Sequence, residues 1–186
     1  MGAPSFLLEA SDAELAALTA TGDRSAFDIL VRRHSGLVRA LLRRMGAQPS
    51  LADDIAQDAF VAAFQSIGGY RATGSFAAWI KQIAARLYVR RWRAEARYTD
   101  LEGAEETADE SSSDGRLDLD AALAILSNAE RLCVSMCSGA GFSHSEAGAL
   151  LKMPAGTVKS HVKRGLDKLR RRLEASQTQV RSRADG

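Results

Sequence analysis

The sequence predicts an all-α protein of two small helical domains joined by an acidic linker. Three observations carry that expectation. Apolar residues recur at intervals of three and four along most of the chain, and no stretch alternates long enough to make a strand. Residues 98–115 carry almost no apolar side chains, too few to offset the entropy of ordering them. Of 186 residues, 46% are hydrophobic, 26% are charged and only three are proline. That balance suits ordered helices and excludes collagen-like, mucin-like and wholly disordered chains.

The helices follow in order. Between Ala26 and Met45, the residues Phe27, Leu30, Val31, His34, Leu37, Val38, Leu41 and Leu42 make one apolar stripe, with arginines elsewhere. Gly46-Ala47-Gln48-Pro49 breaks that helix, and Ser50 is the expected N-cap of the next. Its buried face runs through Ile55, Ala59, Phe60, Ala63, Phe64 and Ile67 and stops at Gly68-Gly69. After a loop over 70–74, a third long helix passes through Phe76, Trp79, Ile80, Ile83, Ala84 and Leu87. Helical spacing resumes at Leu117. The expected domains are therefore 1–97, a flexible linker at 98–116, 117–175, and a disordered basic tail at 176–186.

No run of about 18 apolar residues exists, so no membrane-spanning helix is expected. Met1–Phe6 has neither the basic flank of a secretory leader nor the Ser or Thr at position 6 that the myristoylation pattern needs. Two cysteines, Cys133 and Cys137, make no disulfide framework and suggest a reducing cytoplasm. At i,i+4 they could serve a thiol switch or zinc site, but no four-ligand set is visible and buried small hydrophobes are the expectation. No cofactor and no metal are expected.

The net charge of +2 hides strong segregation. Residues 98–120 hold nine acids against one base, 71–97 seven bases against one acid, and 152–186 ten bases against three acids. Two basic blocks around an acidic spacer suggest two contacts with a polyanion.

Three constellations carry chemistry. Phe142 to Val162 parses as a short helix, a turn near 152–156 and a second helix, with small residues Ala147 and Gly148 to permit a close crossing. In the second helix Val158, Val162, Leu166, Leu169 and Leu173 form the expected apolar stripe, and Lys159, Ser160, His161, Lys163, Arg164 and Lys168 lie mostly away from it. A major groove admits such a helix. In the third helix, Arg86, Arg90, Arg93 and Arg97 share one face, with Trp79 and Trp92 flanking this stretch and Tyr70, Phe76 and Tyr88 nearby. That mixture suits an unstacked strand, with bases on rings and phosphates on guanidinium groups; core packing is the competing role for Trp79. Third, Asp54 and Asp58 share a face at i,i+4 within 53–60. No histidine or glycine-rich loop lies near them, so a docking surface for a basic partner is preferred over acid–base or metal chemistry.

Asp53-Asp54-Ile55-Ala56-Gln57-Asp58-Ala59-Phe60, then Phe76-Ala77-Ala78-Trp79-Ile80-Lys81-Gln82-Ile83-Ala84, then Pro154-Ala155-Gly156-Thr157-Val158-Lys159-Ser160 occur in that order. Together they resemble an extracytoplasmic-function bacterial sigma factor of the minimal type, with only region 2 and region 4 domains. The resemblance implies a region 2-like bundle and a region 4-like helix-turn-helix, and no enzymatic activity. It implies that Asp54, Gln57 and Asp58 contact the β′ clamp helices of core RNA polymerase, whose β flap is a further partner. Arg71, Ser75, Trp79, Lys81, Arg86, Arg90 and Arg93 would meet the −10 element, as duplex and melted strand. Lys159, Ser160, His161, Lys163 and Arg164 would read the −35 element. The family is commonly held inactive by an anti-sigma factor, often membrane-bound, and no small-molecule substrate is implied.

The chain departs from the family where Arg86 and Arg90 replace the frequent Asn and Asp, and where Lys152 replaces a common turn glycine. Gly148 is expected to weaken its helix by about 1 kcal/mol relative to Ala, and the glycine-rich stretch 133–141 to loosen the second domain. Two other readings compete: a stand-alone helix-turn-helix regulator, and a sigma mimic that occupies an anti-sigma factor. The aromatic–arginine surface weighs against the first and the intact basic helix against the second.

Overall fold

A computed structural model of the chain describes residues 5–99 and 122–184, with side chains from 6 to 95 and from 122 to 174. The expected linker at 98–116 lies almost wholly outside the described residues. Two compact units result, Met1–Arg43 with Ala47–Arg93 and Arg44–Gly46 with Ala94–Gly186. Every regular element among the described residues is helical.

The first unit begins with two helices that the periodicity had not singled out, α1 (Ser5–Glu9) and α2 (Asp12–Ala20). Helix α2 starts because Ser11 and Glu14 form a capping box. The Ser11 hydroxyl accepts from the Glu14 amide at 3.3 Å, and the Glu14 carboxylate accepts from the Ser11 amide at 2.8 Å. Asp23 opens α3 (Arg24–Met45) by accepting from the amides of Ser25 and Ala26. Helix α4 spans Pro49–Ser66, and its N-cap is Gln48 rather than Ser50. Proline at the first helical position explains the shift: its φ is already helical and its missing N–H is one the helix would leave unpaired anyway. A 3-10 turn at Ile67–Gly69 follows, and then α5, Phe76–Thr99.

The predicted stripes of α3 and α4 do face a common core, with Leu30, Val38, Leu42, Ala59, Phe76 and Ile80 fully buried. Phe27 meets the rings of Phe60 and Phe64 edge-on, at 6.3 and 5.1 Å between centroids. Leu37 and Phe64, both expected inside, are exposed. His34 belongs to the buried stripe only because its polar tip is satisfied by Asp12, 2.7 Å away. Arg33 closes the same corner, donating to the carbonyls of Leu8 and Ala10 and to Asp12. These two side chains fasten α1 and α2 onto α3.

The second unit contains α6 (Asn128–Val134), a π-helical turn at Ser135–Gly139, α7 (His144–Leu151) and α8 (Ala155–Ala184). Ser127 with Glu130, and Ser143 with Glu146, repeat the capping box at the starts of α6 and α7. The stretch expected to loosen this unit is packed instead. The Ala140 amide reaches the Ser135 carbonyl at 3.0 Å, the Phe142 amide reaches that of Met136, and Met136, Ala140 and Phe142 are buried. Helix α8 continues through 176–184, where a disordered tail was expected; no glycine or proline interrupts 166–184 to stop it.

Candidate nucleic-acid interface

The turn between α7 and α8 depends on two residues at which sequence and backbone are in tension. Lys152 ends α7 with φ +56°, and its amide bonds to the Gly148 carbonyl. A left-handed position normally goes to glycine because a Cβ crowds the following carbonyl. Gly148 is needed for a different reason than helix propensity. A Cβ there would stand 2.6 Å from the Met153 carbonyl oxygen, so only hydrogen allows the chain to fold back so tightly. The expected weakening is thus outweighed by the close approach.

On α8 the buried face consists of Val158, Val162 and Gly165, with Leu169 partly buried against Leu123, Leu126 and Val134. Leu166 and Leu173, predicted for the stripe, are 42% and 53% exposed. Gly165 takes the place instead: a Cβ on it would come within 2.7 Å of a Val134 methyl. A glycine carries no hydrophobic signal, so apolar counting could not have found it.

Away from this face, Lys159, Ser160 and Lys163 are exposed, and the Ser160 hydroxyl donates to the Gly156 carbonyl. Arg164 and His161 are joined, guanidinium Nη2 to imidazole Nδ1 at 3.0 Å. Behind them lies a residue that sequence reasoning missed. Glu130 of α6 is buried at 4% exposure and pairs with Lys168 at 2.7 Å and Arg164 at 3.6 Å. The Lys168 hydrogen bond, joined by those from Ser127, holds its carboxyl below the usual value of 4.5, against the opposing effect of burial. The only sequence hint of Glu130 is its place in the Ser127 capping box.

In the first unit the loop 70–75 and the start of α5 carry the second surface. Ser75 caps α5, its hydroxyl accepting from the Ala78 amide at 3.1 Å. The Tyr70 hydroxyl donates to the Gly74 carbonyl at 2.8 Å and ties the loop across its base; burial, and then the charge of Asp12, raise its pKa. Ala72 stands at φ +50° between them. Tyr70, Phe76 and Trp79 form a ring cluster with centroids 5.2–5.7 Å apart. Phe76 is buried and rests on His34, while Tyr70 and Trp79 are half-buried, with Arg71 exposed beside them. Trp79 is therefore packed on the core along one edge and open to solvent along the other.

Arg86, Arg90 and Arg93 continue from Trp79 along one side of α5, with Arg86 within 3.5 Å of Gln82. Arg93 lies about 21 Å along the axis from Trp79, so these residues form a line rather than a pocket. Lys81 sits about 200° around the helix from Trp79 and is not brought to that line.

The acidic face of α4 has the predicted sidedness. Asp54, Gln57 and Asp58 are exposed, opposite the buried Ala52, Ile55, Ala56, Ala59, Phe60 and Ala63. Asp53 is engaged with Arg39 at 2.8 Å. Cys133 is fully buried and Cys137 partly so. Burial, with Cys137 adding a smaller effect, pushes the Cys133 thiol up to about 11, which suits a core residue and not a reactive thiolate. No described helix is long and apolar enough to cross a membrane.

Comparison with known proteins places both units. The sigma-70 region 2 family matches residues 30–98 and the sigma-70 region 4 family matches residues 122–171. The ECF RNA polymerase sigma factor SigM of Mycobacterium tuberculosis is 33% identical, over 94% of this chain and 91% of its own length. SigE of Mycolicibacterium smegmatis is 32% identical over 83% of this chain, which spans 65% of that longer protein. Among solved structures, CnrH in complex with the cytosolic domain of CnrY superposes with a TM-score of 0.54 at 28% identity, over 88% of this chain and 97% of that one.

Proposed function

The chain belongs to the extracytoplasmic-function sigma factors, with domains of regions 2 and 4, and from that membership we propose a division of labour among its residues. Core RNA polymerase docks on α4 through Asp54, Gln57 and Asp58. The −10 element is taken by the loop and α5, with Arg71 and the Tyr70–Trp79 edge at the opened strand and Arg86, Arg90 and Arg93 along the phosphates. Ser75 serves by capping α5. The −35 element is read in the major groove by α8 through Lys159, Ser160, His161, Lys163 and Arg164. The protein works in the cytoplasm and is held by an anti-sigma factor until released; CnrH, its structural neighbour, was solved with the cytosolic domain of CnrY. Nucleotide chemistry stays with the polymerase, and this chain supplies recognition and strand opening.

The observation that carries this reading is the pairing of two unlike surfaces in one chain. A helix-turn-helix with exposed Lys159, Ser160 and Lys163 suits duplex DNA, whereas a half-exposed ring cluster beside Arg71 suits unstacked bases. A stand-alone duplex regulator has no use for the second.

The test is co-elution of the purified chain with bacterial core polymerase, followed by run-off transcription from genomic promoter fragments. Binding with new transcripts is expected. DNA binding without binding to core would return the protein to the stand-alone regulators. Lys163→Ala should then lower initiation roughly tenfold at promoters that depend on their −35 element, measured as transcript yield. Undiminished yield would remove α8 from the role of reader.

A further inference from the structure

Arg164 is one of the predicted −35 contacts, yet its guanidinium is engaged at both ends within its own unit. Nε faces Glu130 Oε1 at 3.6 Å, and Nη2 lies 3.0 Å from His161 Nδ1. Arginine only donates hydrogen bonds, so His161 Nδ1 must be the acceptor, and the neutral ring then carries its proton on Nε2. The partner of one imidazole nitrogen thus decides what the other presents. Glu130 itself is buried and fixed from two further sides, its Oε2 accepting from the Ser127 amide at 3.1 Å and from Lys168 at 2.7 Å.

We propose that Glu130 is a positioning residue for promoter recognition: through Arg164 it sets His161 as an Nε2–H donor, so that α8 selects a base edge bearing an acceptor at one −35 base pair. The inference rests on α8 being the −35 reader and adds to it the chemistry of one position. Guanine N7 and O6, adenine N7 and thymine O4 are the major-groove acceptors available to such a donor, while cytosine offers an amino donor and is refused on the strand that the ring faces. Beside any contact of its own with the −35 element, Arg164 orients the ring, and its charge is shared with the carboxylate behind it. Nothing in the spacing of α8 could reveal this, because Glu130 lies on another helix.

One substitution isolates the link. Glu130→Gln keeps the capping box, since Gln serves there as well as Glu. Its amide oxygen can continue to accept from Ser127 and Lys168. The amide nitrogen then takes the place of Oε1 and turns a donor toward the donor Nε–H of Arg164. Holoenzyme is assembled from core polymerase and the full chain, wild type or Glu130→Gln, each in wild-type and His161→Ala backgrounds. Transcript yield is read from linear fragments of the strongest mapped promoter, with the −35 region randomised. Thermal melting of each chain shows that it is folded.

Wild type should refuse cytosine on one strand at one base pair. Glu130→Gln should lose roughly fivefold or more of that discrimination, with preferences at the other positions kept. In the His161→Ala background, Glu130→Gln should change nothing further at that base pair, a coupling that a purely structural role would not produce. An unchanged preference spectrum in Glu130→Gln would overturn the relay while leaving α8 the reader. A uniform weakening at all positions would make Glu130 a stability residue and overturn it equally. If wild type shows no −35 preference at all, the assignment of α8 fails, and the relay falls with it. A further variant, His161→Gln, replaces the imidazole with an amide whose N–H does not depend on a tautomer. In that background too, Glu130→Gln should have no effect on discrimination, and an effect there would overturn the proposal.

Discussion

Lys152 and Gly148 sit four residues apart in the same turn and show opposite mismatches between residue and backbone. Lys152 bears a Cβ at φ +56°, where glycine would be free of strain. Lys152→Gly should therefore stabilise the second unit, by about 0.5–1 kcal/mol once the extra freedom of the unfolded chain is subtracted. Gly148→Ala should do the reverse. Helix propensity alone favours Ala by about 1 kcal/mol, but the new methyl would meet the Met153 carbonyl at 2.6 Å, and backbone cannot rotate away. A net loss of about 1–3 kcal/mol is expected, as for other overpacked sites. Denaturant melts of the two variants check both signs. Gly165→Ala should cost less, because its neighbour at 2.7 Å is a Val134 side-chain methyl that can turn aside.

At the scale of elements, α8 carries three kinds of surface on one cylinder. Val158, Val162 and Gly165 are buried, Lys159, Ser160 and Lys163 face outward, and His161, Arg164 and Lys168 run down a flank toward Glu130. The flank anchors α8 to α6 and makes the second unit sensitive to acid. The carboxyl of Glu130 titrates below its ordinary 4.5, chiefly because Lys168 bonds to it. A depressed folded value means stabilisation that is complete above the unfolded value and disappears as pH falls through the folded one. Melting temperature should consequently fall below about pH 4.5, and Glu130→Gln should show a shallower acid decline than wild type. Parallel declines would show that the Glu130 contacts contribute no pH-dependent stability. In the first unit, α1 and α2 play an analogous bracing part through Asp12, Arg33 and His34. That brace reaches the ring cluster because His34 packs on Phe76 at 5.3 Å.

For the whole molecule, charge order along the chain matters more than net charge. Residues 71–97 and 152–186 are strongly basic, and the stretch between them holds nine acids in 98–120. Anionic residues tethered to two cationic surfaces raise the free energy of placing either one on DNA. Polymerase-free binding should accordingly be weak, and replacing the acids of 98–120 with Ser and Gln should raise it several-fold at low salt, less at high salt. Fluorescence anisotropy with a promoter duplex measures this. Equal affinity for both chains would dismiss the repulsion.

Much of this protein is written locally. The stripes of α3 and α4, the line of arginines from Trp79, the acid face of α4 and the helix-turn-helix all follow from spacings of three and four. Such spacings determine which residues of one helix share a side. The sequence also contains the Ser-x-x-Glu boxes that start α2, α6 and α7, a signal that periodicity does not carry. Periodicity does not say what another helix brings against that side. Tertiary structure alone decided that Gly165 and not Leu166 faces inward, because α8 comes closest to Val134 at that point and a small residue fits there without displacing it. It alone decided that Lys168 and Arg164 meet Glu130, whose partner Lys168 is 38 residues away along the chain. A lysine's charge reads the same in sequence whether it faces DNA or a buried carboxylate. Only the fold supplies the partner, since Coulomb attraction depends on separation in space.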